Sequence, residues 1–377
     1  MKLVIEKSVL MEGIQIVSKA VPSKTTMNIM KCILVDASTD DICLIANDND
    51  LGIQTKINGL IEERGVIAID ADIFANIVRK LPDSEVVLTA KGEKVNITCD
   101  NAKFDIMGKD GSEFVYLPEI EKTEEIEISQ YSFREMIGKT IFSISNNESN
   151  KMMTGELLEI YGNTMRMVAL DGHRIAIRTI TMDQFYNNRK VIIPGKTLNE
   201  ISKILSGDME RKIRFYFTRN NVLMEFDNTV VVSRLIEGEY FRIDQMLSTD
   251  YETKVKINRQ ELLSCIDRAS LLVKEDDKKP IILMIRDDVM ELKINSSMGS
   301  MDETIAIKKE GYDLNIGFNP KFMMDALRAI SEEEIRIYLL SQKAPCFIRN
   351  DIEDNESESG EQQKYCYLVL PVNFINI

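Results

Sequence analysis

The sequence is short of the residues that build metal and disulfide sites. Its 377 residues include no tryptophan, one histidine and six cysteines, and no two cysteines stand in a CxxC spacing. A zinc site is therefore not expected. The cysteines stand mostly in apolar strand or helix contexts, which predicts reduced, buried thiols in a cytoplasmic protein.

Long hydrophobic runs are missing as well. No apolar stretch approaches the roughly 20 residues that a membrane-spanning helix needs, so no membrane association is expected. The opening residues, MKLVIEK, regain charge too early for the apolar core of a signal peptide. A P-loop, a glycine-rich dinucleotide turn and a paired-carboxylate metal motif do not occur either. We therefore predict no cofactor, no bound metal and no catalytic residue.

What the chain does contain is a unit that recurs three times. In each copy an apolar strand runs into an amphipathic helix, near residues 5, 128 and 257. Spacings of 123 and 129 residues bring one set of apolar positions into register, and spacings of 124 and 125 align a second strand–helix element. The aligned positions are Leu10, Phe133 and Leu262, with Ile14, Ile137 and Ile266, in the first element, and Phe74, Leu198 and Met323 in the second.

Three copies predict three domains, each long enough for its own core. Charged, unpatterned connectors near 118–125 and 248–253 mark the junctions. The acid-rich segment 351–364 interrupts a strand pair and is predicted to be a solvated loop, with an acidic recognition tail as the weaker alternative. The predicted domains are 1–121, 126–248 and 254–377.

The second element of each copy begins its helix at a residue suited to a turn or a cap: Asp70, Gly195 and Asn319. Other segments, such as 95–105 and 222–234, alternate polar and apolar residues, which predicts antiparallel strands. The predicted fold class is therefore α+β, with two helices packed on antiparallel sheets in each repeated domain.

The distribution of charge suggests a ligand. The net charge is −14, yet the six predicted helices carry twelve basic against seven acidic residues. One interpretation is that good helix formers occupy solvated faces. The other is a ring whose acidic strands lie outside and whose helices line a hole, where a positive lining attracts a phosphate backbone without reading bases. Few aromatics are available for stacking on single strands, which favours duplex DNA. The helical windows are 7–20, 71–81, 131–145, 195–206, 259–273 and 320–330.

Asp171 and His173 raise an enzymatic alternative, a hydrolase that uses them as an acid–base pair. Asp48 occupies the same place as Asp171, 123 residues earlier in the repeat, and no motif links a Ser or Cys nucleophile to the pair. An aspartate that binds its own backbone in a tight turn explains both positions. We therefore predict a turn here rather than an active site.

Two segments carry a resemblance to a known family. VALDGHRIA at 168–176 and YLVLPVNF at 367–374, together with the threefold repeat, resemble the bacterial sliding clamps, the β subunits of replicative DNA polymerases. Over the full length of the chain, the resemblance implies a processivity factor of DNA replication: a head-to-tail homodimer that forms a ring around double-stranded DNA. A clamp loader, the replicative DNA polymerase and other proteins with a clamp-binding motif would be its partners. A repeat scaffold that binds proteins without encircling DNA is the remaining alternative.

The resemblance also implies two sets of site residues. Partner peptides would bind a hydrophobic groove between the second and third domains, with His173 and Arg174 as polar handles at its rim. Phe241 and Asn373 depart from the family pattern, which usually has a proline and a basic residue there. Each candidate lysine for DNA has ordinary solvation as its alternative. The groove positions are Met153, Leu170, Gly172, His173, Arg174, Ile175, Asn319, Phe322, Leu368, Leu370, Pro371 and Val372, and the DNA positions are Lys24, Asn147, Lys151, Lys196 and Lys203.

Overall fold

The structure, a computed structural model, describes residues 1–273, 279–349 and 364–374. Most of the predicted acidic loop 351–364 lies outside the described residues, and Lys364 begins a strand. None of the helices in these ranges combines the length and the apolar character that crossing a membrane requires. The described helices are α1 (Lys7–Val17), α2 (Ala71–Lys80), α3 (Gln130–Gly138), α4 (Gly195–Ile201), α5 (Arg259–Ser270) and α6 (Pro320–Ala329).

The chain forms two compact units, one of residues 1–134 and 196–235, the other of residues 135–195 and 236–377. Residues of the middle third of the sequence therefore belong to both units. The domain junctions proposed from the repeat spacing stay a prediction.

The first unit contains two antiparallel sheets. In the larger sheet, β4 (Leu51–Ile57) pairs with β16 (Thr229–Arg234), so strands from the first and middle thirds form one ladder. The five-stranded sheet has the order β5 (Leu60–Glu63), β1 (Lys2–Glu6), β7 (Glu85–Lys91), β8 (Lys94–Cys99) and β9 (Ala102–Met107). The nine-stranded sheet has the order β10 (Lys109–Asp110), β6 (Gly65–Asp70), β2 (Cys32–Ala37), β3 (Ile42–Asn47), β4 (Leu51–Ile57), β16 (Thr229–Arg234), β15 (Asn221–Phe226), β14 (Lys212–Phe217) and β11 (Ile126–Ser129).

The second unit also contains two antiparallel sheets. Here β13 (Arg174–Pro194) pairs with β25 (Lys364–Val369), which joins strands of the middle and last thirds. The seven-stranded sheet has the order β12 (Gly155–Leu170), β13 (Arg174–Pro194), β25 (Lys364–Val369), β24 (Cys346–Arg349), β23 (Glu334–Leu339), β17 (Thr253–Asn258) and β21 (Lys308–Gly311). The four-stranded sheet has the order β20 (Gly299–Ala306), β19 (Val289–Ser296), β18 (Ile281–Arg286) and β22 (Leu314–Phe318).

The threefold repeat of the sequence also appears in the packing of the core. All nine apolar positions that the sequence brings into register are fully buried, which confirms that each copy turns the same helical face inward. Two of the three predicted caps also form, whereas Gly195 is the first residue of α4. Asp70 accepts a hydrogen bond from the Ile73 backbone N–H at 3.1 Å, and Asn319 accepts one from Lys321 at 2.9 Å. The α+β class with antiparallel sheets is confirmed.

Two helices are shorter than predicted. Helix α3 ends at Gly138 rather than near residue 145, because glycine disfavours the helix interior, and a short 3-10 turn at Ile141–Ser143 follows. Helix α4 ends at Ile201 rather than at 206. The next residues, Lys203 and Ile204, donate to carbonyls three positions back, the tighter 3-10 pattern.

Candidate functional site

The turn between β12 and β13 is built around Asp171. Its Oδ1 accepts hydrogen bonds from the backbone N–H groups of His173 at 2.9 Å and of Arg174 at 3.1 Å. Asp48 accepts from Asp50 and Leu51 in the same way, at 3.0 and 2.7 Å. The predicted turn chemistry is therefore confirmed in both copies. Because the Asp171 carboxylate is committed to its own turn, it does not orient the His173 ring as a hydrolytic base would require.

Arg174 lies at the centre of the site. Its Nε donates to Asp171 Oδ2 at 3.0 Å, its Nη1 donates to Asp325 Oδ2 at 2.7 Å, and its Nη2 donates to the carbonyl oxygen of Phe142. The guanidinium also lies over the Phe322 ring, 4.5 Å from the ring centre. The side chain is only 8% exposed, so the expectation of a polar handle at the rim is corrected. Arg174 is a buried connector, because each of its three side-chain nitrogens already donates to a partner.

An apolar floor lies beside this connector. Three of the predicted groove residues, Leu170, Ile175 and Leu368, are 3%, 6% and 4% exposed and belong to one hydrophobic cluster. Met153, another predicted residue, packs against that cluster as a partly buried side chain. Phe241, the departure from the family pattern, packs there too and meets Tyr240 edge to face. The other buried members of the cluster, which were not among the predicted groove positions, are Leu157, Val168, Ile177, Ile192, Tyr240, Ile243, Tyr338 and Phe347.

The end of the chain passes along this floor. Strand β25 pairs with β13 so that Leu368 lies opposite Ile175. Beyond the strand, the Leu370 N–H donates to the His173 carbonyl at 2.8 Å, and the Val372 N–H donates to the Gly317 carbonyl at 2.8 Å. The predicted residues 370–372 are thus held against the turn at one end and against β22 at the other. Leu370 remains 37% exposed, so an apolar side chain is left available to a ligand.

Helix α6 completes the site. Phe322, half-buried, stacks on the exposed His173 ring with 6.0 Å between ring centres and 22° between planes. Asn319 uses its side chain to cap the helix, so it positions Phe322 rather than offering a free amide oxygen. The structure therefore brings the predicted groove residues together around an apolar floor and a buried arginine.

Gly317 controls how closely the final segment approaches, and replacing it with alanine should disturb the site. A Cβ at this position would lie 2.7 Å from the Phe374 ring and 2.8 Å from the Val372 carbonyl. We expect Gly317→Ala to lower the free energy of unfolding by about 1–3 kcal/mol through overpacking, measured by urea denaturation. Gly138→Ala is the matched control, since nothing lies within 4 Å of its Cβ position. Equal stability of the two variants would contradict this account of the segment.

The candidate DNA residues of the first unit have different surroundings. Lys196 pairs with Asp48, and Lys203 pairs with Glu200 at 2.6 Å. Lys24 is exposed and forms no ion pair with any residue in the described part of the chain. Lys196 and Lys203 thus already have acidic neighbours, whereas Lys24 presents its charge to solvent.

The other two candidates lie in the second unit. Lys151 is exposed, and no residue within the described ranges pairs with its charge. Asn147 is exposed as well, and its Oδ1 accepts the Ser149 backbone N–H at 3.0 Å, which shapes the loop before Lys151. Neither residue is part of the core, so both are available to a ligand.

Comparison with known proteins identifies the family. Models of the DNA polymerase III beta subunit match in succession: the N-terminal domain over residues 1–118, the central domain over 127–241 and the C-terminal domain over 244–360. A Staphylococcus aureus protein named "Beta sliding clamp" is 32% identical over 365 residues, 94% of each chain. The chain belongs to the beta sliding clamp family.

Solved clamp structures agree with this assignment. A crystal structure of an Eubacterium rectale protein shares 57% identity, with a TM-score of 0.93 over 99% of this chain and 100% of that one. The DNA polymerase sliding clamp from Bacillus subtilis shares 32% identity, with a TM-score of 0.92 and full coverage of both chains. The expectation of repeated clamp domains built from helices and antiparallel sheets is confirmed.

Sequence reasoning missed two residues that organise the clamp's candidate groove. Phe142 supplies a carbonyl and a ring to Arg174, and Asp325 supplies a carboxylate. Phe142 stands in an unremarkable apolar run and Asp325 is one of several acids on a helix, so neither carries a recognisable motif. No cluster of three or more metal-ligating side chains occurs in the described ranges.

Proposed function

We propose that this clamp encircles duplex DNA without reading its sequence and tethers the replicative DNA polymerase, together with other replication or repair proteins, to it. Membership in the clamp family is the observation that carries the proposal. Encirclement explains the advantage, because a tethered polymerase rebinds its primer end at high effective concentration. No part of the proposal requires a reaction at the protein itself.

The first unit has an unpaired sheet edge that suits a subunit contact. Strand β9 pairs only with β8 among the described strands, and its apolar side chains Phe104 and Met107 are 36% and 63% exposed. Lys103 lies on β9, Lys94 begins β8, and Lys91 ends β7. An exposed edge with apolar side chains is a template for another strand.

The second unit offers an edge of complementary character. Strand β20 is the outer strand of its sheet and carries Asp302 and Glu303. Leu271, at the end of α5, is 74% exposed, and Met298, just before β20, is 53% exposed. The first edge has three lysines and Asp105, the second carries Asp302 and Glu303, and both expose apolar side chains. A head-to-tail contact between two copies of this chain would join these unlike edges and close a ring.

The groove and the lysines complete the proposal. We infer that the apolar floor and Leu370 accept a short apolar segment of each partner protein, while Arg174 and Phe322 hold the floor's shape. Lys24 and Lys151, which have no acidic partner in the described residues, attract DNA phosphates. A few such contacts hold the duplex loosely and leave it free to slide. A separate clamp loader would open the ring, since the chain has no recognisable nucleotide-binding motif.

Met107→Asp should abolish both the dimer and DNA retention. A carboxylate at this exposed apolar position would be desolvated in the subunit contact, so we expect the dimer to weaken at least about 100-fold. Light scattering on a sizing column measures the dimer. Retention is measured on a linear duplex whose biotinylated ends are closed with streptavidin after the protein has threaded on. Wild type should stay on the closed duplex and leave an open one.

Met27→Asp is the matched control, because Met27 is 47% exposed and lies outside both edges. This variant should remain dimeric and should be retained like wild type. If wild-type retention did not depend on whether the DNA ends are closed, the protein would be a binding scaffold and not a clamp. If Met107→Asp stayed dimeric, the assignment of β9 to the subunit contact would be wrong.

A further inference from the structure

Glu156 is a carboxyl that the proposed function leaves unused. It is the second residue of β12, lies opposite Ile193 of β13 and has no exposed surface. Carboxylates are almost never fully buried unless a positive charge accompanies them. No basic side chain in the described ranges pairs with Glu156, and its Oε1 has no hydrogen-bond partner there. A buried acid in such surroundings is expected to keep its proton.

The number of protons around Thr140 leads to the same conclusion. Thr140 Oγ1 lies 2.7 Å from the Met136 carbonyl oxygen, 3.3 Å from the Ile137 carbonyl oxygen and 2.5 Å from Glu156 Oε2. A threonine hydroxyl has one proton to donate, and a carbonyl oxygen can only accept. If that proton goes to Met136, as is common for threonine in a helix, the contact with Glu156 needs a proton from the carboxyl. The arrangement is complete only when Glu156 is neutral.

Ionisation of Glu156 would make its carboxylate compete with the Met136 carbonyl oxygen for the single hydroxyl proton of Thr140. Burial raises the pKa of the Glu156 carboxyl to about 8, and the Thr140 hydrogen bond opposes that rise only in part. An ionised carboxylate would draw the Thr140 proton away from the end of α3. Ser143 Oγ, in the 3-10 turn that follows Thr140, is buried and likewise without a partner within the described residues. The proton lost from Glu156 passes to solvent base, and no charged group replaces it.

Thr140 connects this carboxyl to the groove. The Ser143 N–H donates to the Thr140 carbonyl at 2.9 Å, which closes the 3-10 turn Ile141–Ser143. Phe142, in the middle of that turn, accepts a hydrogen bond from the Arg174 guanidinium with its carbonyl oxygen. Its ring lies under the guanidinium, with 5.5 Å between the ring centre and the guanidinium carbon. A shift of Thr140 therefore reaches the buried connector of the groove through a single turn.

Tyr240 forms a second connection. It belongs to the apolar floor, and its hydroxyl donates to the Val168 carbonyl at 3.3 Å. Burial and the charge of Glu156 both raise the pKa of the Tyr240 hydroxyl, so the two groups interact electrostatically. Among the described residues, Tyr240 is the titratable group that faces Glu156. The other neighbours of Glu156 are Thr140, whose hydroxyl lies within hydrogen-bond distance of it, and Ile193, which is apolar.

We propose that Glu156 is a neutral positioning residue of the peptide groove, which holds the 141–143 turn and Tyr240 in place while protonated and loosens both when it ionises. This inference rests on the proposed peptide-binding role of the groove. It predicts that partner binding weakens at alkaline pH in a way that depends on one buried acid. Glu156→Gln keeps the shape and the hydrogen-bonding capacity without the ionisation.

The test is a binding profile against pH. A fluorescein-labelled synthetic peptide with adjacent leucine and phenylalanine side chains is titrated with the full-length chain, and its anisotropy is followed at about pH 7 and pH 9. If only the protonated form keeps the groove in shape, wild-type affinity should fall about tenfold, because the protonated fraction falls to about one tenth one unit above the pKa. Glu156→Gln should change less than about twofold over the same range. A flat wild-type profile, or an equal fall in both proteins, would overturn the inference.

A second measurement separates this inference from the proposed function. Infrared spectroscopy should show a carboxylic-acid carbonyl band in wild type at about pH 7 that disappears in Glu156→Gln and on raising the pH. Absence of that band overturns the neutral state of Glu156, whatever the peptide does. Failure of wild type to bind the peptide at about pH 7, with the band present, overturns the groove's proposed role and leaves a neutral structural acid.

Discussion

Replacing Arg174 with alanine is expected to lower the free energy of unfolding by about 3 kcal/mol and to abolish peptide binding in the groove. Removing one member of a buried ion network leaves the others desolvated and unpaired, which costs about 3–5 kcal/mol. Here the carboxylates of Asp171 and Asp325 and the carbonyl of Phe142 lose their donor together. The lower end of the range applies because Asp171 and Asp325 are 14% and 20% exposed. Urea denaturation and peptide anisotropy measure the two effects.

Arg328→Ala provides the matched control for this prediction. Arg328 belongs to α6, as Asp325 does, and pairs with Asp267. Their side chains are 57% and 63% exposed, so the loss of Arg328 should cost under about 1 kcal/mol. Arg174→Lys should fall between the two, because an ammonium keeps the charge but lacks the planar fork. An Arg174→Ala protein as stable as Arg328→Ala would show that the network does not organise the groove.

Stability should fall with pH in wild type more steeply than in Glu156→Gln. The ordinary pKa of a glutamate is 4.5, and burial raises that of Glu156 to about 8. Between these values the folded state binds more protons than the unfolded state, so the free energy of unfolding decreases as pH rises. The contribution is complete below about pH 4.5 and is lost by about pH 8. At roughly 1.4 kcal/mol per pH unit, wild type should lose about 3 kcal/mol more than Glu156→Gln between about pH 6 and pH 9.

The measurement is a series of urea denaturation curves across that pH range. Glu148→Gln removes an exposed glutamate from the loop before Lys151 and should follow the wild-type curve. The informative quantity is the difference in slope between proteins, since other groups titrate equally in all of them. If the free energy of unfolding of wild type and of Glu156→Gln changed with pH in parallel, Glu156 would already be ionised or hydrated at neutral pH.

Periodic features of this clamp could be predicted from its sequence. The aligned apolar positions are all buried because helical and strand periodicities report directly on which face meets the core. The Asp48 and Asp171 turns could be predicted because an aspartate binds its own backbone with chemistry that is local to four residues. Resemblance to the clamp family then supplied the groove positions, which the structure brings together.

The remaining features depend on long-range packing. Nothing in the sequence indicates that β4 pairs with β16, because strand neighbours far apart in the chain carry no local signal. The resemblance to the clamp family implied that Arg174 lies at the rim of the groove, but the residue is buried. Its burial depends on Phe142 and Asp325, which come from distant segments. Glu156 was equally hidden, because alternation in a strand does not reveal whether a glutamate faces solvent or a sealed interior.

The strand pairings that cross repeat boundaries determine where the molecule resists force. In the first unit, β4 pairs with β16 from Leu51 opposite Ser233 to Thr55 opposite Thr229. In the second unit, β13 pairs with β25 over six residue pairs. Pulling neighbouring repeats apart within either unit must rupture a row of backbone hydrogen bonds at once. The outer sides of β9 and β20 have no such row with another described strand. Under tension, therefore, the proposed contact between two copies at these edges is expected to yield before the repeats within either unit separate.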